Sequence, residues 1–374
     1  MTVKNLKVKN YRNYDSLDVN FSDNINILYG HNAQGKTNIL EALYIASAGK
    51  SHRTNSYFDL IKKGELSFEI NLTTMLKDRE NLIKIRYVKD KGKHIEINGV
   101  KRDKLSDILG HFNMIMFSPE TLEVIKGTPL VRRKFLDILL CQTNRSYLYN
   151  LQQYNALIKN KSAALKKSKY EKKYIDIIPI WNEKISFFGG KIAASRMNAI
   201  RILDKYMKIE MSKITAGKET SSIKYKTFCD FNIDCDEKYF TDQLKEKLDN
   251  GIESELNIKQ CLYGIHRDDF EIFLNQLNSR YYCSQGQQRT LALSLIIAEL
   301  HFIEDIKGEK PVLLLDDVMS ELDNTRQNYL IQGLYNVQTI ITTTDPLAFD
   351  SIKNNDIKRF YVKKGKIYDK IETV

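Results

Sequence analysis

The sequence lacks a cysteine pattern that would indicate a disulfide framework or a zinc site. Its five cysteines are odd in number, and no two of them stand in a C-x-x-C spacing. Long apolar runs are also missing, since the most apolar stretch, residues 291–300, is far shorter than the ~20 residues that span a bilayer. The N-terminus is charged from Lys4 onward, unlike a targeting segment. These absences predict a protein of the reducing cytoplasm without a membrane partner.

The charge of the chain is unbalanced. The 374 residues, 42% of them apolar, are enough for two or three compact units, and their formal net charge is +11. This excess favours a polyanionic partner, because neutralising phosphates with Lys and Arg releases counterions. Residues 150–214 hold most of it, with 12 Lys and 2 Arg against 2 Asp and 3 Glu, a net +9. A Lys-rich composition throughout the chain is the alternative origin of the charge.

Alternating apolar residues predict a sheet-rich beginning. Val3, Leu6 and Val8 precede a turn at residues 10–14, and the alternation resumes up to Phe21, which is typical of a β-hairpin. Further predicted elements are a strand at 25–28, a helix from Thr37 to about Ala48, and strands at 68–74, 82–89 and 94–98. The pattern therefore predicts that the first hundred residues form mainly β-sheet around one helix.

The period becomes helical from about residue 130. Two long segments, 130–168 and 174–214, predict a helical hairpin, with Pro179 and the pair Gly189–Gly190 expected to kink or shorten its second arm. The two arms are separated by a charged stretch that includes Lys166, Lys167 and Lys169. After Asp269 an α/β pattern returns, with a strand at 270–274, a helix from Ser284, a buried strand at 312–315, a helix near 323–334 and a strand at 339–342.

A glycine loop between a predicted strand and a predicted helix fits G-x-x-x-x-G-K-[ST], the phosphate-binding loop. Its backbone amides would close around phosphates, Lys36 would reach the β- and γ-phosphates, and Thr37 would ligate Mg²⁺. A chance glycine loop is the alternative, but the strand–loop–helix context favours ATP binding. The predicted ATP-binding residues are Gly30, His31, Asn32, Ala33, Gln34, Gly35, Lys36 and Thr37.

Two carboxylates end the buried run at 312–315. Asp316 is predicted to hold Mg²⁺ through water, and Asp317 to orient or deprotonate the attacking water, which makes Lys36 and Asp317 the predicted catalytic pair. A buried strand that ends in an acidic turn is the alternative for this segment alone. Its combination with a phosphate loop favours a nucleotide site.

Ser284, Gly286 and Gln287 open an apolar helix and resemble the signature motif of ABC ATPases. In that superfamily the signature caps the γ-phosphate bound to a second subunit, and Asp323, in Ser320–Asp323, resembles the D-loop that follows the acidic pair. An ordinary helix cap at Ser284 is the alternative.

Two parts that are usual in ABC ATPases are missing. No glutamine occurs between Gln34 and Gln142, and no histidine follows His301; residues 342–345 stand in place of the switch histidine. The catalytic acid is Asp317, one methylene shorter than the usual Glu. These departures predict slow hydrolysis that times a clamp rather than driving a pump, so the chain would be a weak ATPase that works as a switch.

Seven segments, in order along the chain, resemble motifs of the RecF family of bacterial recombination-repair proteins. They are Asn10–Tyr14, Asn38–Ala42, Gly49–Arg53, Phe117–Glu120, Lys126–Pro129 with Arg132 and Arg133, Gly264–Asp269 and Ser284–Gln287. The resemblance covers nearly the whole chain. It implies an α/β fold in which residues 1–125 and 263–374 form an ABC-type ATPase head that is split by a mainly helical lobe at 126–262.

The resemblance also implies function. It indicates an ATP-dependent homodimer that binds DNA at single-strand gaps and single-strand/duplex junctions with the mediators RecR and RecO. Carried over, Arg12 and Asn13 lie beside ATP, and Arg132 and Arg133 are candidates for the DNA surface, with an ordinary solvated helix face as the alternative for this pair. His266 and Arg267 fall in a similar motif without an assigned role, and a packed structural histidine is an equal reading.

Two other classes remain as alternatives. A transporter-associated ATPase would carry its coupling site after the missing glutamine, in a short helical subdomain. An ATP-dependent nuclease of the overcoming-lysogenisation type would carry an acidic metal-binding domain after the ATPase, whereas about thirty residues follow Thr344 here.

Overall fold

The computed structural model describes residues 1–168, 171–232, 234–333, 336–345 and 357–369. It divides into an outer unit, Met1–Leu122 with Ala292–Val374, and an inserted unit, Glu123–Leu291. The strands are β1 (Thr2–Tyr11), β2 (Tyr14–Asn20), β3 (Ile25–Tyr29), β4 (Ser67–Leu76), β5 (Arg79–Val88), β6 (Gly92–Ile97), β7 (Val100–Arg102), β8 (Met114–Phe117), β9 (Ser221–Lys226), β10 (Asp269–Leu274), β11 (Leu277–Asn278), β12 (Val312–Asp316), β13 (Thr339–Thr343), β14 (Ile357–Lys363) and β15 (Lys366–Tyr368).

The helices are α1 (Lys36–Ala48), α2 (Leu122–Lys126), α3 (Pro129–Thr143), α4 (Arg145–Lys167), α5 (Lys173–Asp176), α6 (Ile178–Ile214), α7 (Glu237–Asn250), α8 (Ile252–Ile258), α9 (Ser279–Tyr282), α10 (Gln285–Lys307) and α11 (Asn324–Gly333). Short 3₁₀ turns lie at Phe58–Leu60, Leu105–Ile108, Pro119–Thr121, Ile265–Arg267 and Val318–Glu321. Within the described ranges, no helix is both long and apolar enough to cross a membrane.

Two sheets build the outer unit. The first is antiparallel in the order β2-β1-β4-β5-β6-β7, and the predicted hairpin and the three following strands are confirmed in it. The second has the order β15-β14-β3-β13-β12-β8, with β14, β3, β13, β12 and β8 all parallel. Parallel strands bring their carboxyl ends to one edge of a sheet, which is where α/β proteins bind ligands.

Helix α1 joins the cores of the two sheets. Ile39, Leu40 and Leu43 are buried, and they share one apolar cluster with Leu6 of the first sheet and Leu314 of the second. The helix is buried over most of its surface, so its N-terminal turn is held rigidly at the ligand edge of the parallel sheet.

The inserted unit differs from the prediction at its C-terminal boundary. Strand β10, predicted as part of the ATPase head, pairs with β9 in a separate three-stranded sheet of order β11-β10-β9. The division of the chain accordingly falls after Leu122 and after Leu291, close to the first predicted boundary and far beyond the second. A period of two marks β10 as a strand but carries no information about its partner.

The second helical arm is continuous where a kink or a shortening was predicted. Helix α6 runs unbroken through Gly189 and Gly190, and Pro179 sits in its first turn, where a missing N–H leaves no hydrogen bond unmade. The glycines serve a close helix crossing instead. A Cβ atom on Gly190 would lie 2.6 Å from the backbone nitrogen of Thr241 in α7, and one on Gly189 would collide with Leu244.

We therefore expect Gly190→Ala to destabilise the protein by about 1–3 kcal/mol, because overpacking against a backbone outweighs the gain in helix propensity. Gly333→Ala is the matched control: it is also helical, and among the described residues nothing lies within 4 Å of the added Cβ. It should be neutral or stabilising by up to about 1 kcal/mol. Urea unfolding of both variants measures this, and equal effects would contradict the crossing argument.

Candidate nucleotide site

The predicted phosphate loop joins β3 to α1 and needs both of its glycines. Gly30 and Gly35 have φ angles of 145° and 116°, a region that favours glycine. A Cβ on Gly30 would collide with the carbonyl oxygen of Val362, and one on Gly35 would lie 2.6 Å from Nδ2 of Asn13. The loop is thus wrapped tightly by its neighbours, while His31, Asn32 and Ala33 at its tip are exposed.

Two turns hold the rim of the loop. Asn13, in the β1–β2 turn, donates from Nδ2 to the carbonyl oxygen of Gln34 at 2.9 Å and accepts from Nδ2 of Asn38 at 2.8 Å. In the β14–β15 turn, the backbone N–H of Lys364 donates to Oε1 of Gln34 at 2.7 Å, and that of Gly365 donates to the Gln34 carbonyl at 3.2 Å. Asn13 therefore contacts the loop, and its predicted place beside ATP stays a prediction; the β14–β15 turn was not predicted to contact the loop.

Lys36 is folded back onto the loop. Its Nζ donates to the carbonyl oxygens of Gly30 at 2.6 Å and His31 at 2.9 Å, and the side chain is buried. Burial lowers the pKa of Lys36, and the nearby carboxylates Asp317 and Asp316 counter this only in part. The ammonium group is thus placed at the loop with weak partners that a phosphate can replace.

The acidic strand end contacts the phosphate loop directly. Thr37 donates from Oγ1 to Oδ1 of Asp316 at 2.9 Å, and Thr342 of β13 donates to the same oxygen at 2.7 Å. The Thr342 hydroxyl in turn accepts from the backbone N–H of Asp317 at 3.0 Å. Asp317 itself has a left-handed φ of 54°, which turns the chain sharply away from the strand. Thr342 was not predicted as a site residue.

The donor set around Asp316 fits Mg²⁺. A carboxylate and a hydroxyl oxygen are hard ligands, and Mg²⁺ is typically held by one or two protein oxygens together with water and substrate phosphates. In the described ranges no three of His, Cys, Asp and Glu converge as a protein-only metal centre. Thr37 and Asp316 are therefore suited to a metal that phosphates help to bind.

Arg12 is held by a buried carboxylate of α1. Its Nε and Nη2 donate to Glu41 at 2.8 and 2.6 Å, and its Nη1 donates to the carbonyl oxygen of Asp59 at 2.9 Å. Burial alone would raise the pKa of Glu41, but hydrogen bonds from Arg12 and Ser51 outweigh it and lower that pKa. The turn that carries Asn13 is thereby anchored to α1. Sequence reasoning missed Glu41, although an acidic residue on an almost wholly apolar helix is a signal for a buried partner.

The signature residues form a capping box at the start of α10. Ser284 accepts from the N–H of Gln287 at 3.3 Å, and the Gln287 side chain accepts from the N–H of Ser284 at 2.9 Å. Gln287 also donates to Glu219 at 2.7 Å, within the inserted unit, and Gly286 lies in the first helical turn. In the outer unit, Asp323 caps α11 by accepting from the N–H of Arg326 at 2.9 Å.

The contacts of Arg132 do not suit the DNA surface that was predicted for it. Arg132 is buried, forms a two-pronged ion pair with Asp269 at 2.6 and 2.8 Å, and donates to the carbonyl oxygen of Gly127. A guanidinium held in this way is not presented to phosphates. Arg133 donates to the carbonyl oxygen of Asp268 at 2.6 Å but stays partly exposed, so it keeps the capacity for a phosphate contact.

His266 has a packing role. Its Nδ1 is 2.8 Å from the hydroxyl of Tyr154 and its Nε2 is 3.2 Å from the carbonyl oxygen of Cys261, to which Arg267 also donates. Burial lowers the pKa of His266 to about 4, so the ring is neutral at physiological pH. These contacts agree with the interpretation of His266 as a packed structural histidine.

Comparison with known proteins places this arrangement in a family. The model of the RecF/RecN/SMC N-terminal domain matches residues 2–367. A protein of Clostridium kluyveri named DNA replication and repair protein RecF is 42% identical over 370 residues, which cover 98% of this chain and 99% of that protein. The chain belongs to the RecF family.

Further RecF-family proteins agree. The protein of the same name from Clostridium acetobutylicum is 40% identical over 372 residues, covering 98% of this chain and 99% of that protein. A solved structure described as the recombination mediator protein RecF-ATP in the RecFOR pathway is 36% identical, with a TM-score of 0.91 over 98% of this chain and 96% of that one. An Smc head domain derived from Pyrococcus furiosus, 17% identical over 98% and 95% of the two chains with a TM-score of 0.57, shows the fold alone.

These findings confirm the predicted ABC-type ATPase fold and the predicted family. Membership in the RecF family also decides against the transporter-associated ATPase and the nuclease as readings of the sequence.

The pair of Arg12 and Glu41 gives a test of the anchoring. Glu41→Gln should destabilise the protein by about 2–3 kcal/mol at pH 7, because it leaves the Arg12 guanidinium partly buried without its counter-charge. Since the folded-state pKa of Glu41 is lowered, its contribution is present above the unfolded pKa and is lost as the pH falls through the folded value. The difference between wild type and variant in the free energy of unfolding should therefore shrink below about pH 4.

Asp18→Asn is the control for this test, because Asp18 pairs with Lys7 at 3.0 Å on the surface, with both side chains more than half exposed. Removing this surface pair should change stability by less than about 1 kcal/mol. A Glu41 effect as small as this, or one without pH dependence, would contradict the anchoring role.

Proposed function

We propose that this chain is an ATP-gated DNA-binding protein of recombinational repair and replication-fork restart, with a slow ATPase as its timer. The observation that carries the proposal is the hydrogen bond from Thr37 to Asp316, which joins a glycine phosphate loop to the acidic end of β12 in the same parallel sheet. The names of the RecF-family relatives, and the ATP in the description of one similar structure, support the same reading.

The residues at the loop suggest how ATP is bound. The Lys36 ammonium leaves the carbonyl oxygens of Gly30 and His31 for the phosphates, and the first turn of α1 adds its partial positive charge. When bound, Mg²⁺ supplies positive charge that neutralises the developing negative charge on the phosphates. Thr37 and Asp316 hold that ion, and Asp317 orients the attacking water and accepts its proton.

The second step is dimerisation. Ser284, Gly286 and Gln287 open α10 at an exposed helix N-terminus, a place suited to anions, and Asp323 accompanies them from the D-loop. We assign these residues to the γ-phosphate of ATP bound by a second copy. ATP then bridges two chains, whereas ADP lacks the group that the signature recognises.

DNA is the partner that the charge favours. The inserted unit carries the +9 excess of residues 150–214, with Lys166 and Lys167 exposed at the end of α4 and Arg133 partly exposed on α3. Lys169 lies outside the described residues. The DNA is proposed to be a single-strand gap or a single-strand/duplex junction, and the protein partners RecR and RecO.

The first test separates ATP binding from hydrolysis. Lys36→Met should lose ATP binding, because the charge that faces the phosphates is gone. Asp317→Asn should bind ATP normally and lengthen the lifetime of the ATP dimer, because only the attacking water is affected. Equilibrium binding of a fluorescent ATP analogue and sedimentation after dilution measure the two effects. Equal losses of ATP affinity in the two variants would show that Asp317 is not the catalytic carboxylate.

A second test concerns the signature. Ser284→Arg places a long side chain where the γ-phosphate must approach, so the variant should bind ATP as a monomer and fail to dimerise. Ser168→Arg is a control, since Ser168 ends α4 with its hydroxyl bonded to the carbonyl oxygen of Leu165. Normal ATP-driven dimers of Ser284→Arg in sedimentation velocity would remove the signature assignment.

The DNA surface is tested by salt dependence. Arg133→Ala, and separately Lys166→Gln with Lys167→Gln, should each reduce the slope of log affinity against log salt by about one unit for every phosphate that the protein no longer neutralises. Lys238→Gln with Lys245→Gln removes the same charge from α7, where acidic residues surround both lysines, and should leave the slope unchanged. Unchanged slopes in all variants would move the DNA surface to the outer unit.

A further inference from the structure

Two exposed tyrosines lie three and two residues before the signature serine, Ser284. Tyr281 and Tyr282 are 70% and 68% exposed, more than other large apolar side chains of the described residues. Their rings are 6.4 Å apart in an edge arrangement, and Leu277, 55% exposed, adds apolar surface close by in the sequence. Nothing in the packing of the inserted unit, over the part of it that the structure describes, accounts for so much exposed aromatic surface at one place.

The tyrosines are carried on a rigid support. Helix α9 follows the β10–β11 hairpin, in which Phe273 pairs with Asn278 and Leu274 with Leu277. Asn278 caps α9 by accepting from the N–H of Arg280 at 3.0 Å, and Ser279 is buried. The two rings are therefore presented by an ordered backbone that is tied to a sheet, as a binding platform requires.

The electrostatics of the segment suit a nucleotide. Residues 275–289 contain Arg280 and Arg289 and no acidic residue. The Arg280 guanidinium lies over the Tyr281 ring, 5.4 Å from its centroid. Glu219, from elsewhere in the inserted unit, also reaches this segment, where its carboxylate accepts from Gln287. A polyanion that approaches Ser284 thus has two arginines and two aromatic rings within a few residues of it along the chain.

We propose that Tyr281 and Tyr282 form an aromatic platform that stacks on the base of the nucleotide bound by a second copy of this chain. The inference rests on the proposed function, in which Ser284 reaches the phosphates of that nucleotide. The Cα atoms of Tyr282 and Ser284 are at most about 7 Å apart, so a ligand whose phosphates reach Ser284 has its base within range of the rings. Through this platform, one chain contacts the base as well as the γ-phosphate of the nucleotide that is bound by the second copy.

Stacking has a chemical signature that separates it from protein packing. A purine offers a larger π-face than a pyrimidine, so ATP and GTP should drive dimerisation better than CTP or UTP, and the difference should depend on the rings. Removing one stacked aromatic side chain weakens binding of a base by about tenfold. A symmetric dimer has two such sites, so its dimerisation constant should fall about a hundredfold.

The experiment compares dimerisation of the full chain by sedimentation velocity with ATP and with CTP. The variants are Tyr281→Leu and Tyr282→Leu, which keep apolar area but lose the ring, together with Tyr281→Phe and Tyr282→Phe, which keep the ring. Tyr149→Leu, at an exposed tyrosine of α4, is the control. We expect the Leu variants to lose about a hundredfold with ATP and much less with CTP, the Phe variants to stay within about threefold of wild type, and the control to behave as wild type.

Each outcome decides between the platform and the proposed function. If wild type does not dimerise with ATP, or if Ser284→Arg dimerises normally, the proposed function fails. If Ser284→Arg is monomeric and the Leu variants dimerise like wild type, the platform alone is overturned. Equal losses with ATP and CTP would also overturn it, because the rings would then pack on the partner's protein surface. Circular dichroism and ATP binding by the monomeric variants exclude misfolding as the cause of a loss.

Discussion

Asp316 accepts hydrogen bonds from Thr37 and Thr342, and through them one buried carboxylate connects the phosphate loop, β12 and β13. A carboxylate at this depth is costly unless it is hydrogen-bonded, and the two hydroxyls bond its Oδ1 without neutralising its charge. The negative charge that remains can attract a metal ion and the Lys36 ammonium. While the apolar packing of α1 positions the helix, this contact fixes its first turn to the acidic end of β12.

Hydrogen bonds from other parts of the outer unit also hold the phosphate loop. Asn13 and the β14–β15 turn both bond to Gln34, and Glu41 holds the turn that carries Asn13 through Arg12. Asn13 and the β14–β15 turn lie outside the loop in sequence, so the folded unit shapes the loop together with the loop's own glycines. That pre-formed shape means that binding energy is not used to order the backbone.

The sequence predicts helices and strands well, but it predicts poorly which strands pair and which side chains contact each other. Apolar period and glycine spacing were sufficient for β1, β2, α1 and the phosphate loop, because these features are local. Strand β10 was predicted within the ATPase head but pairs with β9 of the inserted unit, and alternation is the same whichever strand lies beside it. The burial of Arg132 could not be predicted for a similar reason. A buried arginine and a surface arginine look alike in sequence, and Asp269, which decides between them, is 137 residues away.

The two helix N-termini proposed to meet ATP differ in a way that suits a switch. Helix α1 begins after Gly35 with no side-chain cap, so its first amides can be used by phosphates without breaking another bond. At α10, Ser284 and Gln287 already satisfy each other's backbone N–H groups, and a ligand must share or replace those bonds. If the proposed function holds, the second site would therefore be the weaker of the two, and it would add enough affinity only when a complete triphosphate is already held by the first site. One chain would then bind ATP before two chains close on it, and loss of the γ-phosphate would be sufficient to open them.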